Sequence, residues 1–146
     1  MTVGRGETSA FSGHELEVEE GLIFLPTPTH STIPVLVGGM SARALRRAAE
    51  LGDGWIPDAP IELIDFEVLT RLKDDLTARR AEAGRDALTF EHVLVVDTPP
   101  DRVGDLPGIA RRAGSLGFDE LIIDAPFDDP PAVEATLAAV RAELES

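Results

Sequence analysis

The chain has 146 residues, 43% of them hydrophobic, with 27 acidic against 13 basic side chains and a net charge of −14. That length and apolar content imply one domain with a real core and exclude a disordered tail. The acidic surplus argues against nucleic acid or an anionic membrane as partner, since each demands a basic face, and the absence of cysteine excludes disulfides, thiolate metal sites and cysteine nucleophiles.

Three histidines, His14, His30 and His92, are too scattered to suggest a metal cluster, so no metal site is expected. The N-terminal stretch has no apolar signal-peptide core, and no run approaches the roughly 18 apolar residues of a membrane span. A soluble, cytoplasmic protein is expected.

Residues 1–33 read as an irregular loop leading into the fold: polar and glycine-rich, then a short apolar run Leu22–Leu25, then Pro26 and Pro28. Residues 34–146 read as a single domain in which a strand–helix rhythm appears four times. The first strand, Pro34–Val37, is short and continuously apolar, as expected of a strand covered on both faces. It ends at Gly38-Gly39. Ser41 is placed to cap a helix with Ala42, Leu45, Ala48 and Ala49 on one face and Arg46, Arg47 and Glu50 on the other, and Gly52 to stop it in a left-handed conformation.

The second strand is Gly54–Pro57, after which Asp58 and Pro60 are expected to open a long helix. Its apolar residues Ile61, Ile64, Val68, Leu72 and Leu76 recur every three or four positions, and Gly84 ends it. The third strand, Leu88–Asp97, carries a β-branched run. A Pro-rich turn, Thr98–Pro100, then leads to a helix near Pro107–Leu116 that stops at Gly117. The fourth strand is Glu120–Asp124. Asp129 and Pro130 start the last helix, with Val133, Leu137, Val140 and Leu144 as its buried stripe.

This alternation implies α/β architecture with parallel strands and right-handed crossovers. An internal echo supports it, since Arg46–Pro60 (RRAAELGDGWIPDAP) resembles Arg111–Pro126 (RRAGSLGFDELIIDAP) with one insertion. Duplication and shared packing demands explain the echo equally well. A four-stranded parallel sheet leaves two unpaired edges and, if curved, an open apolar interior. Either the chain pairs with a second copy or another half, or its sheet opens flat.

In β/α folds ligands sit beyond the C-terminal ends of the strands, so the residues there are the ones to inspect. They are Gly38-Gly39-Met40-Ser41, Pro57-Asp58-Ala59, Asp97-Thr98 and Asp124-Ala125-Pro126-Phe127. Two side-chain-free residues before a capped helix favour a phosphate, through converging N–H groups and the helix dipole, although a tight strand–helix turn needs the same residues.

The stretch Ile33–Pro57 (IPVLVGGMSARALRRAAELGDGWIP) resembles the luciferase-like family of flavin- or deazaflavin-dependent oxidoreductases and monooxygenases, which are (β/α)8 TIM-type barrels. Phe11–Pro28 is similar to the loop preceding that family's fifth strand, and Gly117–Pro130 to its final strand and helix start. The resemblance covers nearly the whole chain and makes it the C-terminal half of such a barrel, strands five to eight.

By that resemblance Gly38, Gly39, Met40 and Ser41 would hold the phosphate of FMN or of a deazaflavin (coenzyme F-420), and Trp55, Ile56, Pro57 and Asp58 would flank it. Some members place a hydroxyl residue and a lysine after the Gly-Asp-Gly strand, where this chain has Asp58, Ala59 and Pro60. A carboxylate repels phosphate, so Asp58 is expected to cap the Pro60 helix. Trp55 either stacks on a ligand or fills the core.

Family members keep most substrate- and ring-contacting residues on the first four strands, so no residue here receives a catalytic role. The three histidines read as surface or satisfied polar groups. Asp74-Asp75 and Asp128-Asp129 read as a solvated face and a helix cap. The serines offer no Ser–His–Asp arrangement. The resemblance thus implies the cofactor-phosphate half of an oxidoreductase, inactive without the N-terminal half and paired with a complementary half-barrel chain or a second copy. The alternative is a non-catalytic dimeric binding or assembly module.

Overall fold

The computed structural model describes residues 9–22, 33–85, 89–124 and 128–145. The chain divides into two compact units, Met1–Pro34 and Val35–Ser146.

In the first unit, strand β1 (Ser9–Ser12) pairs antiparallel with β2 (Glu17–Leu22), and the register shifts between Ser9 and Phe11. The Gly13 N–H closes the turn on the Leu16 carbonyl at 2.9 Å. The hairpin corrects the expectation of an irregular loop. Glu17 and Glu19 are exposed and Val18 half-buried, so the strand lacks the strong apolar alternation that would have announced it. Residues 23–25, Pro26, Pro28 and His30 lie outside the described residues.

In the second unit, strand β3 (Leu36–Gly38) leads to helix α1 (Ala42–Leu51), and β4 (Gly54–Ile56) is followed by β5 (Asp58–Pro60) and helix α2 (Phe66–Glu82). Strand β6 (Glu91–Asp97) precedes α3 (Leu106–Ser115), and β7 (Glu120–Asp124) precedes α4 (Pro130–Leu144). All pairings are parallel: β3 with β4, β4 and β5 with β6, and β6 with β7. The pairs Gly54–Glu91 and Asp58–Val95 keep one register across Pro57, whose carbonyl accepts from the Val95 N–H at 2.9 Å. β4 and β5 are thus one strand with a break at a proline. Four parallel β/α units in sequential order are the (β/α)8-barrel arrangement, present here as a partial barrel.

Side chains alternate along a strand, so the register assigns every residue to a face. Trp55, Leu94 and Val96, with Val37, Leu121 and Ile123, pack against Leu45, Ala48 and Ala49 of α1, Leu69 and Leu76 of α2, Leu106, Ala110 and Ala113 of α3, and Val140 of α4. The opposite face carries three rows: Gly38, Ile56, Val93 and Glu120, then Asp58, Val95 and Ile122, then Pro60, Asp97 and Asp124. Its centre is apolar, and its C-terminal end is a line of carboxylates.

The structure corrects four local expectations. Asp58–Pro60 is strand rather than a helix start, because its residues pair with Val95–Asp97. Helix α2 begins after a short 3-10 turn, Ile61–Leu63, and is capped by Asp65, whose carboxylate accepts from the N–H groups of Glu67 and Val68. Gly52 ends α1 at φ −82°, not in the left-handed region; glycine is needed there because a Cβ would stand 2.9 Å from the Ala48 carbonyl oxygen. On α1 the buried face uses Ala44 where Ala42 was expected.

The expected stripe on α4 is half open: Val140 is buried and Val133 half-buried, but Leu137 and Leu144 are 49% and 59% exposed. An apolar cavity of about 570 Å³ lies under this helix, between Val103, Leu121, Ile123 and Val133. Other signals hold. Ser41 and Asp129 cap α1 and α4, and Gly84 and Gly117, at φ +68° and +72°, follow α2 and α3.

Buried Arg80 joins α2 to the end of α1. Its guanidinium donates to the Gly52 carbonyl at 3.1 Å and lies 4.0 Å from the Phe90 ring centroid. Among the described residues no helix is long and apolar enough to cross a membrane.

Gly54 leaves no room for a side chain, since a Cβ there would meet the Glu91 carbonyl oxygen at 2.8 Å and Leu36 Cγ at 3.1 Å. Backbone cannot give way as a side chain can. Gly54→Ala should therefore lower stability by about 1–3 kcal/mol, read as an earlier urea midpoint.

Candidate functional site

The C-terminal end of β3 is where the second unit presents backbone to solvent. Gly38 and Gly39 are both exposed. Gly39 sits at φ +97°, a conformation that side-chain-bearing residues rarely adopt, and a Cβ there would lie 3.3 Å from the Ala44 Cβ. The bend delivers the chain into α1. The Ser41 hydroxyl accepts from the Ala44 N–H at 3.2 Å and the Ser41 carbonyl from the Leu45 N–H at 2.9 Å. The N–H groups of Ala42 and Arg43 have no intrahelical acceptor at this position and point out of the helix start.

No acidic residue occupies the first turn of α1, and exposed Arg43 does. The helix dipole disfavours a cation there unless an anion is also present. Sequence reasoning passed over Arg43. The available signal was its place two residues after a capping serine, where acidic residues are the usual choice.

The eight residues expected at the site separate into two groups. Gly38, Gly39, Met40 and Ser41 form the exposed strand end, and Ile56 lies beside Gly38 on the same face, half-buried. Asp58 is exposed two residues further along that face, about 7 Å beyond Ile56. It caps no helix, contrary to expectation, and adds negative charge near the strand end.

Trp55 and Pro57 point the other way and are fully buried, so Trp55 offers no face for a ligand to stack on. Of the two expectations for it, the core position is the one observed. Its indole Nε1–H donates to the Gly39 carbonyl at 2.8 Å. Asp97 and Asp124 sit side by side at the ends of β6 and β7, and buried Thr98 follows Asp97. Ala125, Pro126 and Phe127 lie outside the described residues.

His14 is exposed in the hairpin turn. His92 departs from the expected satisfied polar group. It packs edge-on against Trp55, Phe90 and Phe118, with centroids 5.2–6.4 Å apart, and its buried Nε2 has no hydrogen-bond partner. Among the described residues no group of acidic and histidine side chains could hold a metal ion.

The parallel strands and the helices between them place the chain in the β/α-barrel class, as a partial barrel. Residues 2–98 match the model of the luciferase-like monooxygenase family, and the chain belongs to that family. It is 29% identical over 121 residues to a 5,10-methylenetetrahydromethanopterin reductase of Archaeoglobus fulgidus, covering 83% of this chain and 31% of the reductase. In fold it is similar to an F420-dependent secondary alcohol dehydrogenase solved with an F420–acetone adduct, at a TM-score of 0.63 and 14% identity. That match covers 96% of this chain and 58% of the dehydrogenase chain. The chain therefore spans about a third and somewhat over half of the two relatives.

His92 supplies a test of the aromatic cluster beneath the strand end. Burial, and then the nearby Lys73 and Arg80 cations, lower its pKa from 6.5 to about 4, with Asp119 opposing. Well above pH 6.5 the ring is neutral whether folded or unfolded, so it imposes no pH dependence there. Between 6.5 and about 4 the unfolded chain takes up a proton that the folded chain refuses, so stability falls as the pH falls. His92→Leu should flatten that part of the profile, seen in urea midpoints measured from pH 7 to pH 4.

Proposed function

We propose that the strand end Gly38–Ser41 holds the phosphate of a deazaflavin-type cofactor, as the phosphate-side half of a luciferase-like oxidoreductase. The observation that carries this reading is the left-handed Gly39 between an exposed glycine and a Ser41-capped helix whose first turn holds Arg43 and no acid. A phosphate there would meet N–H donors along the helix dipole and a guanidinium beside them. The cofactor class is supported by the dehydrogenase similar in fold, whose structure contains F420. FMN would offer the same phosphate chemistry to the same atoms. Asp58 opposes an anion, and its distance along the strand limits that cost.

When bound, the cofactor would supply hydride transfer; this chain's residues would hold and orient its phosphate end. No residue at the strand end has a setting suited to moving a proton. Turnover on this reading needs residues from a further set of strands, as the shares of the two relatives also suggest. A cytoplasmic setting fits a cysteine-free acidic chain handling a reduced cofactor.

A second reading, a non-catalytic binding or assembly module, is favoured by the sheet face away from the helices, where Ile122 is 41% exposed in a row with Val95. Such a face calls for a covering layer. A second copy would bring Asp58, Asp97 and Asp124 against their own kind, whereas a complementary half with basic groups at its strand ends would not.

Gly38 allows a clean test, because a Cβ there would meet only the Ile56 carbonyl oxygen, at an ordinary 3.6 Å. Gly38→Asp should leave stability nearly unchanged and weaken binding of the deazaflavin coenzyme by roughly ten-fold or more through repulsion of its phosphate. Calorimetric titration of parent and variant reads this out. Equal affinity in the two would remove the strand end from the cofactor site. A parent homodimer that binds no cofactor and is broken by Ile122→Lys would favour the assembly module.

A further inference from the structure

We propose that Trp55 is a positioning residue for the phosphate cradle, acting through the Gly39 carbonyl without touching the ligand. The inference rests on the reading of Gly38–Ser41 as a phosphate site and assigns what holds that site in shape.

The argument starts from the peptide plane. In a trans peptide the C=O and N–H of one unit point in opposite directions. The unit between Gly39 and Met40 turns its carbonyl to the Trp55 Nε1–H, 2.8 Å away, and Trp55 is fully buried on the helix side of the sheet. The Met40 N–H of that same unit must then point away from the core. It points to the side where Gly39, Met40 and Ser41 are exposed. The indole thus chooses which end of the peptide a ligand meets. Without it, the flipped orientation would present a carbonyl, which repels phosphate.

Three features make the indole a rigid support. Its ring lies within 6.3–6.4 Å of Phe118 and His92, centroid to centroid, and both sit in the same packed layer. Its strand is held on both sides, Trp55 pairing with Val37 in β3 and His92 in β6. The acceptor lies at a glycine whose φ of +97° supplies the bend that turns the carbonyl inward. Tyrosine or phenylalanine would fill part of the same volume but cannot place an N–H at that point. The hydrogen bond is the specific contribution.

The test separates this role from plain core packing. Parent, Trp55→Phe and Phe118→Leu are compared for binding of the deazaflavin coenzyme and of its phosphate-free chromophore, by calorimetry, alongside urea midpoints. Phe118→Leu removes aromatic packing and leaves the indole N–H in place, so it controls for lost stability. The parent should bind the phosphate-bearing form more tightly than the phosphate-free form. Trp55→Phe should reduce that preference roughly ten- to hundred-fold, the worth of one hydrogen bond to a charged group. Its affinity for the phosphate-free form should hold, and Phe118→Leu should keep the preference.

A Trp55→Phe variant that retains the parent's preference overturns the positioning role, as does a Phe118→Leu variant that loses just as much. A parent with no preference for the phosphate-bearing form overturns the phosphate site itself, and the positioning role with it. Should Trp55→Phe not fold, nitrogen-15 spectra of the parent decide. Adding the coenzyme should shift the Met40 amide while the Trp55 indole N–H stays protected from solvent exchange with and without it, and an indole N–H that exchanges freely overturns the inference.

Discussion

Everything in the second unit depends on the register of the central strand, residues 54–60. It lies between β3 and β6 and keeps one pairing offset across Pro57. Because side chains alternate, that register sends Trp55, Pro57 and Ala59 into the helix-side core and leaves Ile56, Asp58 and Pro60 on the other face. A slip of one residue would expose an indole and bury a carboxylate. Register is held by close backbone contact at Gly54 and by Trp55, whose buried ring packs beside His92 and Phe118. A packing constraint in the core thereby sets which backbone groups reach the strand end.

The same constraint bears on charge. With a net charge of −14 the chain's overall field disfavours anions, and salt screens that field beyond roughly 8–10 Å. An anion site on such a protein has to be local. Backbone N–H groups within hydrogen-bonding range, and one arginine in a first turn that holds no acid, act inside the screening length. The acidic line Asp58, Asp97 and Asp124 stands on the same sheet face but further toward its C-terminal end. Asp97 and Asp124, paired at the ends of β6 and β7, suit a basic covering layer better than phosphate.

How far the sequence could be read depended on the kind of signal. Caps and stops were legible where one residue acts through its own chemistry, as at Ser41, Asp129, Gly84 and Gly117. Signals that depend on partners distant in sequence misled. Asp58 and Pro60 look like a helix start until β6 pairs with them, and Gly52 looks like a left-handed stop until α1, β3 and β4 crowd it. The β1–β2 hairpin was invisible because β1 is short and serine-flanked and β2 is acidic, so neither shows a strong apolar alternation. At the candidate site the glycines and the cap were readable from the family-like motif, whereas the inward turn of the Gly39 carbonyl was not. No sequence rule pairs a tryptophan with a carbonyl just past the end of the neighbouring strand.

That pairing also changes what the family-like motif around Gly54 and Trp55 is for. If the motif served only packing, any large apolar residue after Gly54 would do, and the strand end at Gly39 would be free to adopt either peptide orientation. The indole removes that freedom, since its N–H is buried where water cannot replace the Gly39 carbonyl, and leaving a buried donor unpaired costs about 1–3 kcal/mol. The core enforces the peptide orientation with that energy, so the strand end is preorganised before any ligand arrives. His92 fits the same logic from beneath. A neutral ring edge-on to Trp55 keeps its surroundings apolar, and protonating it would place a charge against the indole. Strand end, indole and histidine form one stack from solvent to core, and the backbone chemistry at its outer end is set by the packing at its inner end.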